Sequence, residues 1–501
     1  MNRRTSLHYL CLGGALTLAP TGLISASPAR KGPLNYVYPK VSSPYPTALP
    51  DNLRVPFQWQ YFSVAKGEEP VRLTGLKRLD TSASDARLRL TTALDSREEK
   101  VVEVRIPGED APLGILDCKY SPLLQIIELA ISPEHLPLIH EKGLELRLVK
   151  GETPIYFFAD VRDKADHNGV LFPHLLTVSP PLPDPTSQFI DQFMSSGSLQ
   201  PFDWMGGCVL DGLWQLYQQK GMKQARKALD TYLSMFFDKQ DNLVQENPKS
   251  EIADNHIHSI ESTLAFAVVA RLYPEHPVLK IVEAFWQETL RDDGAVAHSS
   301  ITAEGSYTIA YPMAVLAKEW QRDDLARLAL QQLRHRMVLH HDGAQYLRYH
   351  QQGNRTFRNW ARGLAWYMLG LARTLPLLHD IEDTRDLVEE LERVTDFVLS
   401  YQQENGLWRC FLDAAATDVD TSGSAGMAAA IATGIHTGFL PETLKPRVEK
   451  TWQGLLPYLT PDGLLDGVAQ SNRGGEALQR SDYRVISQMG MGLMAQLYAY
   501  L

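Results

Sequence analysis

After residue 200 the sequence repeats a unit of two helices, and this repeat limits the available folds more than any other feature. Apolar residues recur there at three- and four-residue spacing, the period of helices with a buried face. Apolar helices rich in glycine and alanine are predicted to begin near residues 204, 256, 307, 360, 421 and 483. A more charged helix usually follows each of them, so the segment indicates a repeat architecture.

Tight-turn dipeptides separate each charged helix from the next apolar one. They are Asp241-Asn242, Asp293-Gly294, Asp342-Gly343, Asn405-Gly406 and Asp462-Gly463. Asn, Asp and Gly tolerate positive φ, so these pairs can reverse the chain within a few residues. Six apolar helices with charged partners predict an (α/α)6 barrel over residues 187–501, in which Gln188–Met194 supplies the twelfth helix. An open helical solenoid is the alternative.

The region before this repeat, residues 30–180, alternates apolar and polar side chains with the period of strands. Clear examples are Arg87–Leu90, Val101–Ile106, Leu144–Leu148 and Ile155–Phe158. The proline-rich segment Ser179–Thr186 then indicates a stiff linker. We therefore predict an α+β multidomain protein, with a β-sandwich-like domain at 30–180 followed by the barrel.

The first 29 residues have the features of a secretory signal peptide. A positive start at Arg3-Arg4 precedes the apolar stretch Tyr9–Leu18, and small residues follow up to Ala29. A spanning helix needs about twenty apolar residues, so this stretch is too short and no membrane span is expected. We expect export to the periplasm or the extracellular space. The twin-arginine motif is incomplete, which leaves the twin-arginine and general routes open.

Composition excludes several classes of protein. The chain has 49 Lys and Arg against 59 Asp and Glu, with no basic stripe, so no nucleic-acid partner is expected. A local arginine cluster can still bind an anionic small substrate. Nucleotide-binding loops, the nucleophile elbow and the zinc-helix motif are all missing from the sequence, and we expect no metal or organic cofactor. Cys118, Cys208 and Cys410 are too few for a disulfide framework, so buried free thiols are expected.

Two carboxylates near predicted inner-helix starts are our candidates for catalysis. In a helical barrel the loops that lead into the inner helices converge on one end, and Asp254 and Glu304 both lie in such loops. A carboxyl group that donates a proton near neutral pH needs partial burial to raise its pKa. The simpler roles are a helix cap for Asp254 and a solvated loop acid for Glu304.

Aromatic, cationic and hydroxyl side chains near the same helix starts form the predicted substrate pocket. Flat aromatic faces stack on sugar rings, and arginine can bind a carboxylate through two parallel hydrogen bonds. Core aromatics, structural ion pairs and helix caps are the simpler interpretation. The predicted substrate-binding residues are His256, His258, Tyr307, His350, Arg358, Trp360, Arg362, Trp366, Asp420 and Ser422.

Four segments, Ala253–His256, Arg358–Trp366, Asn405–Trp408 and Asp420–Ala425, carry motifs in the same order as a known family. The second is similar to the Trp-x-Arg-Gly-x-x-Trp signature of the unsaturated glucuronyl and rhamnogalacturonyl hydrolases, and the others resemble further conserved segments of these enzymes. The resemblance spans about residues 200–501 and implies an (α/α)6 barrel. It also implies removal of a terminal 4,5-unsaturated uronic acid, in which an Asp protonates the enol-ether double bond and water adds at C5.

The chain departs from the family pattern at the acid. The family's Asp lies six or seven residues before a Pro on an inner helix, and those positions before Pro312 hold Ser306 and Gly305. The nearest acid is Glu304. Either a one-residue insertion brings Glu304 into that role or the chemistry differs. The β-rich region is also absent from the compact members of the family.

The sequence therefore predicts an exo-acting glycoside hydrolase that releases a terminal glucuronic-type residue, saturated or 4,5-unsaturated, from acidic oligosaccharides. On a saturated substrate Asp254 and Glu304 would serve as acid and base, in an order that the sequence leaves open. A polysaccharide lyase acting by β-elimination is one alternative, although in such lyases the β-domain follows the helical domain. A non-catalytic glycan-binding protein is the other.

Overall fold

The computed structural model describes residues 33–43, 48–159 and 169–501. The predicted signal peptide at 1–29 lies outside the described residues, and so does its twin-arginine motif. Strands dominate the described part before residue 180, and helices dominate the part after it.

The β-rich region consists of short strands and one helix. In chain order they are β1 (Leu34–Val37), β2 (Lys40–Ser42), β3 (Tyr61–Val64), β4 (Val71–Thr74), β5 (Asp85–Thr91), β6 (Val101–Arg105), β7 (Gly114–Asp117), β8 (Ile126–Ile131), α1 (Leu136–Lys142), β9 (Leu144–Lys150), β10 (Ile155–Phe158) and β11 (His174–Val178).

These strands form two antiparallel sheets and one separate pair. The sheet orders are β1-β11-β5-β8 and β2-β4-β9-β6-β7, and β10 pairs with β3. Side chains of β6 alternate between buried and half-buried, as the period-two pattern predicted. Leu88 of the first sheet and Val104 and Leu146 of the second lie in one buried apolar cluster. The two sheets therefore share a core.

After residue 180 the helices alternate between an outer and an inner position. The outer helices are α2 (Pro185–Phe193), α4 (Lys223–Ser234), α6 (Val278–Glu288), α8 (Asp323–Arg336), α10 (Arg385–Leu399) and α12 (Lys445–Leu455). The inner helices are α3 (Trp204–Lys220), α5 (Phe266–Leu272), α7 (Tyr311–Trp320), α9 (Ala361–Leu378), α11 (Thr421–His436) and α14 (Gln488–Tyr498). A short helix, α13 (Gly475–Arg480), precedes α14.

The inner helices close into a ring. Each packs against the next along the chain, and the last, α14, packs against the first, α3. Helix α2 also packs against α14, and its Phe189 ring meets Trp452 of α12 edge-on at 6.0 Å. The arrangement is the predicted (α/α)6 barrel, with α2 in the twelfth position, and it rules out an open solenoid.

Small residues allow the inner helices to approach closely. A Cβ atom on Gly423 of α11 would lie 2.7 Å from Cβ of Ala361, and one on Gly370 of α9 would lie 2.3 Å from the backbone of Ser306. The predicted tight turns are also present. Their positive-φ residues are Asp241, Gly294, Asp342, Gly343, Gly406 and Gly463.

Two inner helices begin later than the sequence predicts. The residues before them form backbone hydrogen bonds with other segments of the chain instead of helical ones. The segment ahead of α5 is attached to the β-rich region, where Arg54 N–H donates to the Ser250 carbonyl at 3.0 Å and Ile252 N–H donates to the Asn52 carbonyl at 3.2 Å. Helix α14 begins at Gln488 rather than near 483, because Arg484–Val485 pairs with Val468–Ala469 as a short antiparallel ladder.

A buried ion pair joins the β-rich region to the barrel. Arg89 of β5 is fully buried and donates two hydrogen bonds to Asp462, at 2.6 and 2.9 Å, and one to Glu128 at 2.7 Å. Tyr36 also donates to Asp462 at 2.9 Å. Burial alone would raise the pKa of Asp462, but the Arg89 guanidinium outweighs it and holds that pKa well below its usual range. The two parts of the chain are thus held together by a charged contact closed to solvent.

Cys118, Cys208 and Cys410 are free and buried, as predicted. Over the ranges that the structure describes, no helix has both the length and the apolar character needed to cross a membrane.

Candidate active site

A cavity of about 170 Å³ lies at the end of the barrel where the chain leads into α3, α5, α7 and α9. Pockets for drug-sized ligands span roughly 300–1,000 Å³, so this volume suits a single sugar ring better than a chain of them. Its lining residues are Arg97, Trp204, Cys208, Pro248, Ser259, Glu261, Leu264, Glu304, Tyr307, Thr308, Arg348, Trp360, Arg362, Trp366, Ser471, Asn472 and Arg473.

Glu304 lies in the cavity wall between a short strand, β12 (Ser300–Thr302), and the inner helix α7. The residues between them, Ser306–Ala310, form a π-helical turn. A π turn closes five residues along the chain instead of four, so it accommodates one extra residue within a helix. A one-residue insertion that brings Glu304 into the role of the acid would fit such a turn, and it stays a prediction.

The carboxyl group of Glu304 is in an environment that favours its acid form. The side chain is 9 % exposed, and no described residue hydrogen-bonds its Oε2. Burial raises the pKa of Glu304 to about 7, Arg348 opposes the rise, and Glu261 adds to it. The group can therefore hold a proton near neutral pH, as a general acid requires.

A buried arginine fixes the loop that carries Glu304. Arg336 of α8 donates to the carbonyl groups of Thr302 at 3.1 Å, Val296 at 3.1 Å and Gln332 at 2.8 Å. A Cβ atom on Gly305 would lie 2.1 Å from this guanidinium. Glycine at this position therefore lets the arginine reach the loop beside the catalytic candidate.

Aromatic rings form a rigid part of the cavity wall. Trp366 stacks on Tyr307 with a centroid distance of 6.1 Å and an interplanar angle of 10°, and Trp204 meets Trp366 edge-on at 5.8 Å. The Tyr307 hydroxyl donates to buried Asp211 at 2.6 Å. Trp360 also lines the cavity. The structure thus brings the predicted residues Tyr307, Trp360 and Trp366 together.

Two of the arginines in the wall differ in what they can offer a ligand. Predicted Arg362 is buried, and it donates to the carbonyl groups of Ala469 at 2.6 Å and Gln470 at 2.7 Å. Arg348, which the sequence analysis missed, is half-buried on β13 (Ala344–His350). Its guanidinium makes no hydrogen bond or ion pair with any described residue, and it lies 5.4 Å from the centre of the Phe357 ring. Arg348 is therefore the cation beside Glu304 that is available to an anionic ligand.

Asp254, the other predicted catalytic residue, does not line the cavity. Arg54 of the β-rich region donates to both of its carboxylate oxygens, at 2.9 and 2.6 Å, and Gln245 N–H donates at 3.0 Å. The hydrogen bond from Arg54 lowers the pKa of Asp254. These contacts give Asp254 a role in fixing the loop ahead of α5.

The two predicted histidines of that loop also lie outside the lining residues. His256 is exposed, and its carbonyl accepts from Gln245 Nε2 at 2.8 Å. His258 is half-buried, with Nε2 3.0 Å from the Ser262 hydroxyl. Burial lowers the pKa of His258 to about 4, and the nearby positive charges of Arg97 and Arg473 act in the same direction.

Four further predicted residues lie behind or beside the wall. His350 Nδ1 is 2.8 Å from the Ser300 hydroxyl, and exposed Arg358 forms an ion pair with Asp413. Asp420 caps α11 by accepting from Ser422 N–H at 3.1 Å and Oγ at 2.7 Å. Its other oxygen is 3.8 Å from Arg362 Nη1. Asp420 and Ser422 therefore support a lining residue instead of facing the cavity.

Several lining residues had no strong signal in the sequence. Glu261 lies seven residues after Asp254, and Arg348 lies two residues before His350, so both were close to segments that had been singled out. Arg97 comes from the β-rich region, where nothing local indicates a site. Within the described ranges no group of three or more His, Cys, Asp or Glu side chains is placed to hold a metal ion.

Comparison with known proteins places the helical region of the chain in a family. The sequence model of Glycosyl Hydrolase Family 88 matches residues 186–500. The unsaturated rhamnogalacturonyl hydrolase YesR of Bacillus subtilis is 22% identical over 316 residues, which cover 58% of this chain and 87% of that protein.

Solved structures share the fold. A possible member of the GH105 family from Salmonella enterica matches with a TM-score of 0.53 and 20% identity over 64% of this chain and 89% of that one. A family 105 glycoside hydrolase from C. acetobutylicum matches with a TM-score of 0.51 and 18% identity, over 63% of this chain and 98% of that one. The family match covers more than half of the chain, and this protein therefore belongs to glycosyl hydrolase family 88 and is a glycoside hydrolase.

Proposed function

We propose that this protein is an exo-acting hydrolase that releases a terminal glucuronic-type residue, saturated or 4,5-unsaturated, from acidic oligosaccharides. The observation that carries the proposal is the buried carboxyl group of Glu304, whose pKa burial raises to about 7. It lies beside the guanidinium of Arg348, which makes no ion pair with any described residue. A proton donor and a carboxylate-binding cation in one small cavity match a terminal uronic acid.

Glu304 is the general acid in this proposal. On an unsaturated substrate its proton goes to C4 of the enol-ether double bond and water adds at C5. The resulting hemiketal then collapses and releases the aglycone, as the resemblance to the unsaturated uronyl hydrolases implies. On a saturated substrate the same proton goes to the glycosidic oxygen as the bond to the aglycone breaks. Arg348 binds the uronate carboxylate, and Trp366 or Trp360 stacks on the ring.

Glu261, instead of Asp254, is the second catalytic carboxylate in this proposal. It lines the cavity and interacts electrostatically with Glu304, whereas both carboxylate oxygens of Asp254 are bound by Arg54. A saturated substrate needs such a second carboxylate as base or nucleophile. An unsaturated substrate needs only the acid and a positioned water.

The proposal includes a division of the chain into two domains, each of which contributes to the site. The shared apolar cluster of the two sheets supports a β-sandwich-like domain at 30–180, and Arg97 from this region narrows the cavity of the barrel at 187–501. A narrow cavity that admits one ring favours removal of terminal residues. Export through the signal at residues 1–29 would bring the enzyme to its oligosaccharides.

Paired digestions test the function. Oligosaccharides that end in saturated or 4,5-unsaturated glucuronic acid are incubated with the wild type, with Glu304→Gln and with Glu319→Gln, which alters an exposed acid at the far end of α7. Release of the terminal residue by the wild type and Glu319→Gln, but not by Glu304→Gln, is the expected result. Loss of the enol-ether ultraviolet band identifies the unsaturated substrate. A rising band on intact polymer would instead establish a lyase, and binding without turnover would establish a glycan-binding protein.

A further inference from the structure

Two arginines in the cavity wall share a single buried carboxylate. Arg97, in the loop between β5 and β6, donates from Nε to Asp95 Oδ2 at 2.9 Å. Arg473, in the loop ahead of α13, forms an ion pair with the other oxygen of Asp95, whose side chain is 2 % exposed. One carboxylate cannot neutralise two guanidinium groups. Buried Asp203 also interacts electrostatically with Arg473, but burial raises its pKa to about 7, so it compensates the second positive charge only in part near neutral pH.

The arginine pair is held in place before any ligand arrives. Arg97 Nη2 donates to the Pro248 carbonyl at 2.9 Å, and Asp95 N–H donates to the Ser250 hydroxyl at 2.8 Å. These bonds tie the β5–β6 loop to the barrel loop ahead of α5. Each guanidinium keeps further N–H groups that make no hydrogen bond to a described residue, and such groups bind oxyanions well.

Both arginines of the pair are more exposed to solvent than the proposed acid. The Arg97 side chain is 47 % exposed and that of Arg473 is 17 % exposed, whereas Glu304 is 9 % exposed. A terminal ring that reaches Glu304 and Arg348 therefore leaves the next sugar of the substrate beside the arginine pair.

We propose that Arg97 and Arg473 bind an acidic group, a carboxylate or a sulfate ester, on the sugar next to the terminal residue. The β-rich region thereby sets substrate specificity, because it supplies Arg97 and the carboxylate that aligns both arginines. The inference rests on the proposed function, since it assumes that the terminal ring lies beside Glu304.

The test compares substrates with the same terminal residue and a neighbouring sugar that is neutral, carboxylated or sulfated. We expect kcat/KM of the wild type to be at least tenfold higher with an acidic neighbour than with the neutral one, mainly through KM. Arg97→Gln and Arg473→Gln should bring this ratio close to one, and Arg97→Lys should restore part of it. Arg72→Gln, which alters an exposed arginine of β4 outside the cavity, should keep the wild-type ratio. The two acidic substrates show which oxyanion is preferred.

Equal kcat/KM on all substrates, or an unchanged ratio in both glutamine variants, would overturn the inference and leave the proposed function standing. If no substrate is hydrolysed, the proposed function fails, and calorimetry of the same oligosaccharides with Glu304→Gln decides the inference separately. Tighter binding of the acidic-neighbour compounds, lost when Arg97→Gln is added, supports it. Equal binding of all compounds, or no binding, contradicts it.

Discussion

Replacing Glu304 by glutamine separates the energetic cost of burying this carboxylate from the reaction that it serves. Burial raises its pKa from 4.5 to about 7. Because a tenfold change in an acid constant is about 1.4 kcal/mol, the ionised group costs the folded state roughly 3 kcal/mol. Below pH 4.5 the group is protonated whether the chain is folded or unfolded, so the cost is absent. It grows between pH 4.5 and pH 7, where the group is ionised in the unfolded chain but still protonated in the folded one, and is complete above that range.

Glutamine has nearly the same shape and cannot ionise, so its variant escapes this cost. We expect the free energy of unfolding of Glu304→Gln, relative to wild type, to rise by roughly 3 kcal/mol between pH 4 and pH 9. Urea unfolding at a series of pH values, followed by tryptophan fluorescence, measures the difference. Glu442→Gln, which alters an acid whose side chain is 79 % exposed, is the control and should show little change. A difference independent of pH for Glu304→Gln would refute the raised pKa and the general-acid role built on it.

Four further predictions follow from the same contacts. Asp462→Asn leaves a buried guanidinium with one charged partner fewer and should lower the free energy of unfolding by about 3–5 kcal/mol in urea titrations. Asp254→Asn weakens a partly exposed ion pair and should cost about 0–1 kcal/mol while kcat stays near wild type. Glu261→Gln removes a negative charge that raises the pKa of Glu304, so on an unsaturated substrate the alkaline limb of the pH–rate profile should move to lower pH, whereas a saturated substrate should no longer be hydrolysed. Trp366→Leu removes a flat ring face and should raise KM roughly tenfold, equivalent to about 1.4 kcal/mol of binding.

The barrel could be predicted from the sequence because its signals are local. Helical periodicity, the small residues of α11 and turns such as Asp462-Gly463 are each encoded within a few residues. The late start of α5 could not be predicted in the same way, because Arg54, some two hundred residues earlier in the chain, binds the loop ahead of it through Asp254. A contact between residues so far apart in the sequence cannot be predicted from a local residue pattern.

The residues of the candidate site also divide into those with a local sequence signal and those placed by long-range contacts. Tyr307, Trp360 and Trp366 were predicted from their positions at inner-helix starts, and all three line the cavity. Asp254 also lies ahead of an inner helix, but Arg54, which is distant in the sequence, binds its carboxylate. Arg97 reaches the cavity only because the β-rich region packs on the barrel, so neither composition nor spacing could identify it.

The pH dependence of kcat tests the central claim, that Glu304 donates the proton when a terminal uronic acid is released. With an oligosaccharide that ends in this residue, the wild type should lose activity as pH rises, with an apparent pKa near 7, because only the acid form of Glu304 reacts. Glu304→Gln should lose about 10²- to 10⁴-fold in kcat, together with that alkaline limb. A wild-type profile that stays flat to pH 9, or a glutamine variant with the wild-type profile, would contradict the assignment.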